Sequence, residues 1–430
     1  VSNYKMGFWA VLSFVVSSQV GSGVFLFPHT LAPFGTLGLF AWGLAGAGAV
    51  CLALVFAGLC RLYPFTGGPH VYVTKGVNRR WGFYVAWTYW VLAWLSSAPV
   101  LGSIASAMCT LLGLPHDLWL ILFFETAVLV GLTVLNLYGV EASGTWELCL
   151  TVIKFFPLVL FPLAALFFFQ VDFLKPFNPT PEPWYKVLNH AGLMMLWGFL
   201  GLEAITAPAG SVDNPEKTLP KALVWGTLLA LCLYVLNSVS VMGLVPRHEL
   251  SQVVMPYSLA LERLLGGGSG RLMAFFVIVV CVAAMNAWIL AMGQVAKGAA
   301  EDGFFPKIFA QTNTRGVPVF GIIISSFLLF VCLIMLSSRD LATQVRFVID
   351  VSVVSSVGIY ALCVFVYWRK VSMTKWSRRL VGVGGTVLCA WILWGAGRNI
   401  ILYALLLPVA GIPFDYMWVR RKGPGCALLS

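Results

Sequence analysis

The sequence predicts an all-α membrane protein of about twelve transmembrane helices. Three observations carry that expectation. Of the 430 residues, 60% are hydrophobic and only 10% are charged, whereas a soluble domain carries about a quarter charged residues. Apolar runs of about 20 residues, enough to cross a bilayer, recur along the chain, and no segment between them is long and polar enough to form a separate soluble domain. Seventeen Trp and thirteen Tyr suit the headgroup level, where amphipathic rings collect. Burial stays incomplete even in large soluble domains, so lipid must be the solvent for most of this apolar surface.

Spans are expected to start near residues 7, 36, 82, 117, 146, 187, 220, 270, 317, 343, 378 and 398. Only Gly395-Ala396-Gly397-Arg398-Asn399 separates the last two, which makes that boundary the weakest. With the N-terminus in the cytoplasm, the inside segments hold 18 Lys and Arg residues and the outside segments hold 8; Lys154, within a span, completes the 27. That bias assigns both termini to the cytoplasm. The first apolar run, starting near Met6, has no small-residue cleavage pattern, so no cleavable signal peptide is expected.

Several function classes are excluded. The net charge of +11 comes from basic residues scattered through short loops; they form no stripe, so no nucleic-acid partner is expected. Nine of the ten cysteines lie in apolar stretches (Cys51, Cys60, Cys109, Cys149, Cys232, Cys281, Cys332, Cys363 and Cys389). They have no metal-ligand spacing and read as small core hydrophobes. The five histidines are isolated, and no zinc-helix motif, nucleophile–base spacing or phosphate loop is present. Neither an enzyme nor a cofactor is expected.

Most glycines in the spans read as packing residues that let helices approach. Two places differ. Gly21-Ser22-Gly23 cuts the first span, just after Ser17, Ser18 and Gln19. The sixth span carries Trp197-Gly198-Phe199-Leu200-Gly201-Leu202-Glu203, followed by Pro208 and Gly210. Alone, the first stretch could mark a close helix crossing. The two breaks are five spans apart, and interrupted helices at matching positions of two halves point to a transporter site. Backbone groups freed there can hold a substrate, since unpaired groups are too costly against lipid. The pairing rests on position; no internal sequence similarity is visible.

Three ionisable residues lie inside spans, where charges are rare and face a cavity or a partner: Glu125, Lys154 and Glu203. Glu203 follows the second break. It reads as a gate or coupling carboxylate, or as a structural hydrogen bond to the unwound backbone. Lys154 lies about two turns into the fifth span, too deep to snorkel. It reads as a stand-in for a bound cation, as a group that exchanges a proton, or as a fixed cation paired with helix carbonyls. Glu125 reads as a helix-to-helix hydrogen bond.

At this point the chain resembles the amino acid–polyamine–organocation superfamily. Within it, the resemblance is to the bacterial arginine/agmatine and putrescine/ornithine antiporters. The resemblance covers nearly the whole chain. It rests on Lys5-Met6-Gly7, Gly21-Ser22-Gly23-Val24-Phe25-Leu26-Phe27-Pro28, Tyr63-Pro64, Gly67-Gly68 and Tyr89-Trp90. It continues through Leu196-Trp197-Gly198-Phe199-Leu200-Gly201-Leu202-Glu203, Asp213-Asn214-Pro215-Glu216, Pro220 and Glu301-Asp302-Gly303-Phe304-Phe305-Pro306. Order and spacing together make the match strong.

The resemblance implies a leucine-transporter-like inverted repeat of five plus five helices within one transporter domain. The repeats would span residues 1–170 and 186–370, with two further helices at 377–419. It implies a bacterial inner-membrane protein that moves amino acids or amines by alternating access. Amides near Ser22 and Gly23, with Gly21, would hold a carboxylate, and carbonyls near Gln19, Trp197 and Leu200 an α-amino group. Helix-end charges agree with that polarity. Trp197 would be a gate over the substrate, and Trp288 would face its side chain, where a cation can rest on the ring. Ala93, Ser97 and Ser352 would line the side-chain pocket. Tyr89 and Glu203 would lie at an outer gate and Tyr360 near a further one.

Two departures matter. The arginine/agmatine exchangers have asparagine at Ser97 and alanine at Leu92, which puts guanidinium recognition in doubt. Lys154 resembles the fifth-helix lysine of sodium-independent permeases, which favours proton coupling or plain exchange over sodium. The substrate is left open between cationic and neutral types. A channel or a non-transporting nutrient sensor on the same scaffold also stays open. Relatives occur as dimers and monomers, so the resemblance leaves a homodimer undecided.

Overall fold

The computed structural model describes residues 5–138, 140–253, 256–336 and 341–420. Arg339, Arg421 and Lys422, three of the basic residues counted above, lie outside them. The described chain is helical throughout, and the one β-type contact among the described residues is an isolated bridge between Met6 and Val212.

Helix occurs at every position where a span was expected. The first span is split into α1 (Phe8–Gln19) and α2 (Gly23–Leu31). Next come α3 (Gly35–Leu62) and the short α4 (Pro69–Gly76). The third span is also split, into α5 (Arg79–Leu95) and α6 (Ala98–Leu112). Then follow α7 (Leu118–Leu137), α8 (Val140–Ala165) and α9 (Trp184–Trp197). After α9 the chain makes only 3-10 turns, at Ala204–Thr206 and Ala209–Ser211, before α10 (Pro215–Leu244). Two short helices, α11 (Arg247–Leu250) and α12 (Pro256–Leu265), lead to α13 (Ser269–Glu301). The rest is α14 (Val319–Leu336), α15 (Leu341–Lys370), α16 (Trp376–Gly395) and α17 (Arg398–Ala410). The weak boundary at Gly395–Asn399 is therefore a real helix break. Among the described residues, eight stretches are long and apolar enough to cross a membrane, the first of them running from Phe8 to Leu62 through α1, α2 and α3.

Local chemistry explains the ends and bends. Asn78 caps α5 by accepting the Trp81 amide at 2.9 Å, and Asp117 caps α7 by accepting the Trp119 amide at 3.2 Å. Between α5 and α6 the Ser96 and Ser97 hydroxyls turn back to the Leu92 and Ala93 carbonyls, each at 2.7 Å. Pro99, just beyond, has no amide to continue the ladder, and the span bends there. In α8, Pro162 leaves the Leu158 carbonyl without its helical donor. The Asn237 side-chain amide of α10 fills that gap at 2.9 Å. A buried carbonyl facing lipid would otherwise be costly.

The core is built around the split helices. α10 packs on α3 and α1, α13 on α6 and α8, and α1 on α8. At one end of the molecule the N-terminal strand-like segment ties to the chain after the second break: Met6 donates to the Ser211 carbonyl at 2.8 Å, and Asp213 donates to the Met6 carbonyl at 3.0 Å. At the same end Gly298 of α13 lies against Gly67, where any Cβ would overlap the Gly67 backbone. His70 and Asp302 close this corner at 3.0 Å. The basic start of α5 lies here too, with Arg79 directed at the Gly303 carbonyl, and Arg369 at the end of α15 reaches the Gly76 carbonyl at the end of α4 at 3.5 Å.

Candidate functional site

Helix α1 stops at Gln19 and α2 begins at Gly23, so Val20, Gly21 and Ser22 form the first break. Helix α9 stops at Trp197, and residues 198–203 form the second. Gly201 holds φ +95° there. A Cβ on it would lie 2.7 Å from the Trp288 ring and 2.9 Å from the Ser18 carbonyl oxygen, so only glycine fits.

The two breaks are laced together. The Ser18 hydroxyl lies 2.9 Å from the Gly201 carbonyl oxygen. The Tyr234 hydroxyl, from α10, reaches the Gln19 carbonyl at 2.7 Å and the Gly198 carbonyl at 3.0 Å. A phenol has one proton, so it donates to one carbonyl at a time and sits astride both breaks. Its ring is held by stacking on Trp42, with centroids 4.8 Å apart, and by the edge of Phe27 at 5.3 Å. Trp288 Nε1 donates to the Ser18 carbonyl at 3.2 Å. On the far side, Lys154 Nζ donates to Ser17 Oγ at 2.7 Å and reaches the Val20 carbonyl at 3.4 Å. Ser17 Oγ also meets Thr151 Oγ1 at 2.8 Å. Lys154 is fully buried.

Both breaks open on one pocket, with about 390 Å³ of empty space, part of it continuous with solvent. Its wall includes Gln19, Gly21, Ser22, Gly23, Trp197, Leu200 and Trp288 from the expected set, together with Ser18, Ser96, Val100, Gly198, Tyr234 and Ala284. Among the described residues, no acid, lysine, arginine or histidine is in that wall. Ser22 Oγ and Gln19 Oε1 are buried without a hydrogen-bond partner among the described residues.

The side-chain wall differs from the expectation. Ala93, Ser97 and Ser352 are not in it. The Ser97 hydroxyl is turned into its own helix, and Ser96 and Val100 line the pocket instead. Ser352 is buried in α15 with its hydroxyl unpartnered. Tyr234 had no signal in the sequence, being one tyrosine in a long apolar helix.

Glu203, Tyr89 and Tyr360 form a separate buried cluster beyond the second break. The Tyr360 hydroxyl donates to Glu203 Oε2 at 2.6 Å. The Tyr89 hydroxyl is close enough to Glu203 to interact electrostatically but makes no aligned hydrogen bond. Phe56 covers Tyr360 edge-on at 5.5 Å. The chain runs from α9 through Glu203 toward Ser211, which is bonded to Met6, and Tyr89 is ten residues from the Arg79 start of α5, about 15 Å. The cluster thus lies between the pocket and the end with the basic helix termini. Glu125 lies apart in α7, opposite Gly102 of α6. Among the described residues no three His, Cys, Asp or Glu side chains gather into a metal-binding group.

Tyr234→Phe keeps the ring stack and removes the hydroxyl from two buried carbonyls. The expected cost is about 1–3 kcal/mol of stability, read as a lower melting temperature in detergent. An unchanged melting temperature would show that the hydroxyl does not hold the breaks together.

The family model for amino acid permeases matches residues 6–416. Among curated proteins, the putrescine transporter PotE of Haemophilus influenzae is 27% identical over 419 residues, covering 95% of both chains. A putative arginine/ornithine antiporter of Bacillus subtilis is 28% identical over 426 residues, covering 90% of both. The putrescine transporter PotE of Escherichia coli is 25% identical over 414 residues, covering 95% of this chain and 94% of its own. These relatives are transporters by name, not enzymes. With its long apolar helices and a match that runs almost end to end, the chain is an integral membrane protein and belongs to the amino acid permease family.

Proposed function

We propose that the chain is a secondary transporter that carries an amino acid or a related amine through this pocket by alternating access, without sodium, by exchange or with a proton. The observation that carries the reading is the meeting, in one pocket, of helix ends of opposite polarity from two breaks: the start of α2 and the ends of α1 and α9. The first-turn amides of α2 have no partner within their helix and favour an anion. The unpartnered Ser22 hydroxyl adds a donor to them. The ends of α1 and α9 present carbonyls, which favour a cation. A carboxylate and an ammonium on one small molecule match both ends.

Twelve crossings, arranged as repeats at 1–170 and 186–370 plus two helices at 377–419, fit the order of the helices. Cytoplasmic termini fit the charge bias. Lys154 supports sodium independence, since its ammonium already satisfies the Val20 carbonyl behind the first break. Glu203, under Tyr89 and Tyr360, is our candidate inner gate and proton-coupling group. Trp197 is the candidate gate on the opposite side, packed edge-on against Phe27 at 6.0 Å.

The second reading is a cationic amino acid or polyamine antiporter. The names of the relatives favour it, since they are a putrescine transporter and a putative arginine/ornithine antiporter. So does the Trp288 ring in the pocket wall. The absence of any carboxylate from that wall favours a neutral side chain.

Counterflow in proteoliposomes tests the main reading. Preloaded unlabelled substrate should accelerate entry of labelled substrate, over a panel of the amino acids, ornithine and putrescine. A channel or a sensor would show no such acceleration. Trp288→Leu separates the substrate classes: a cation on the ring should lose about 2- to 30-fold in affinity, and a neutral substrate much less. Equal losses would argue against a cation–ring contact. Lys154→Ala should remove the pH dependence of uptake; unchanged dependence would leave Lys154 as a structural cation.

A further inference from the structure

We propose that the side-chain oxygen of Gln19, and not the break carbonyls alone, accepts the ammonium of the substrate and makes the site selective for a primary amine. This rests on the transport reading above and deepens it.

The carbonyls freed at the breaks are largely taken by the protein itself. Gln19 and Gly198 share the Tyr234 hydroxyl. Ser18 accepts from Trp288, Val20 from Lys154 and Gly201 from Ser18. Each keeps a second lone pair, but each is already anchored toward its donor. A primary ammonium brings three N–H donors spread tetrahedrally.

Gln19 Oε1 is different. It is buried, on a residue that lines the pocket, and it has no partner among the described residues. Its identity as oxygen is not a choice of amide flip. Gln19 Nε2 donates to the Val15 carbonyl at 3.1 Å. A carbonyl only accepts, so the nitrogen must face Val15 and the oxygen must face away. The result is a buried acceptor, without a partner among the described residues, on a pocket-lining residue at the carbonyl-rich end of α1, where helix polarity also favours a cation. A buried acceptor of this kind is normally paired, and an ammonium in the pocket would pair it.

The test compares two ligands by competition in counterflow. One is the amino acid or amine with the largest wild-type counterflow. The other is its N,N-dimethyl derivative, which is still a cation but has one N–H donor. The wild type should prefer the primary amine. In Gln19→Met, of similar length without the oxygen, that preference should fall by about tenfold or more, the scale of a hydrogen bond to a charged group. Gln19→Glu, which keeps an oxygen at the same reach, should retain or raise it. A general distortion of the site would weaken both ligands together and leave the ratio unchanged; that result in Gln19→Met would overturn the proposal. If Gln19→Met does not fold, loss of the preference in Gln19→Glu would overturn it as well. Failure of the wild type to show counterflow with any ligand would instead sink the transport reading, and this proposal with it.

Discussion

Everything in this structure turns on the treatment of unpaired backbone in a dry interior. A helix that crosses lipid satisfies its own amides and carbonyls, and a break abandons some of them. Here two breaks face each other, and the protein closes most of the exposed carbonyls with its own donors. Tyr234 spans both, Trp288 and Ser18 each bridge one break to its neighbour, and Lys154 secures the back of the first. Proline in α8 raises the same problem on a smaller scale, and Asn237 solves it in the same way. The donors come from α1, α8, α10 and α13, so the helices around the breaks are held by the polar groups the breaks release.

That closure also sorts the buried ionisable groups by role. Lys154 is drawn to the carbonyl side of the first break, whereas Glu203 lies past the second break under two tyrosines. The pocket between them has a polar backbone rim and a wall without formal charge. A zwitterionic head would find both polarities at the rim, while the side chain would meet Ser96, Val100, Ala284 and the two tryptophans. The selectivity of such a site depends on the count and direction of hydrogen-bond partners more than on net charge.

Some of this was legible in the residues. The helical class follows from composition, and the positions of the spans follow from apolar runs. The breaks were visible because glycine, serine and proline interrupt those runs at Gly21-Ser22-Gly23 and from Gly198 to Gly210. The expected roles of Gln19, Ser22, Trp197 and Trp288 point to residues that do line one pocket. Ala93, Ser97 and Ser352 do not: the Ser97 hydroxyl is turned back to the Ala93 carbonyl, and Ser96 and Val100 are on the wall. The pairing of Glu203 with Tyr360 was not legible, because residues 157 positions apart meet only when the helices that carry them are packed.

By itself the sequence determined what is set by local pattern: a helical membrane chain, two interrupted spans, and a buried lysine and carboxylate near them. The tertiary structure alone decided which donor closes which carbonyl. Those partners lie far apart in the chain, Trp288 being 270 residues from Ser18, Tyr234 215 from Gln19 and Lys154 134 from Val20. A hydrogen bond depends on distance and direction in space, and nothing in the periodicity of a helix records which distant side chain its open backbone will meet.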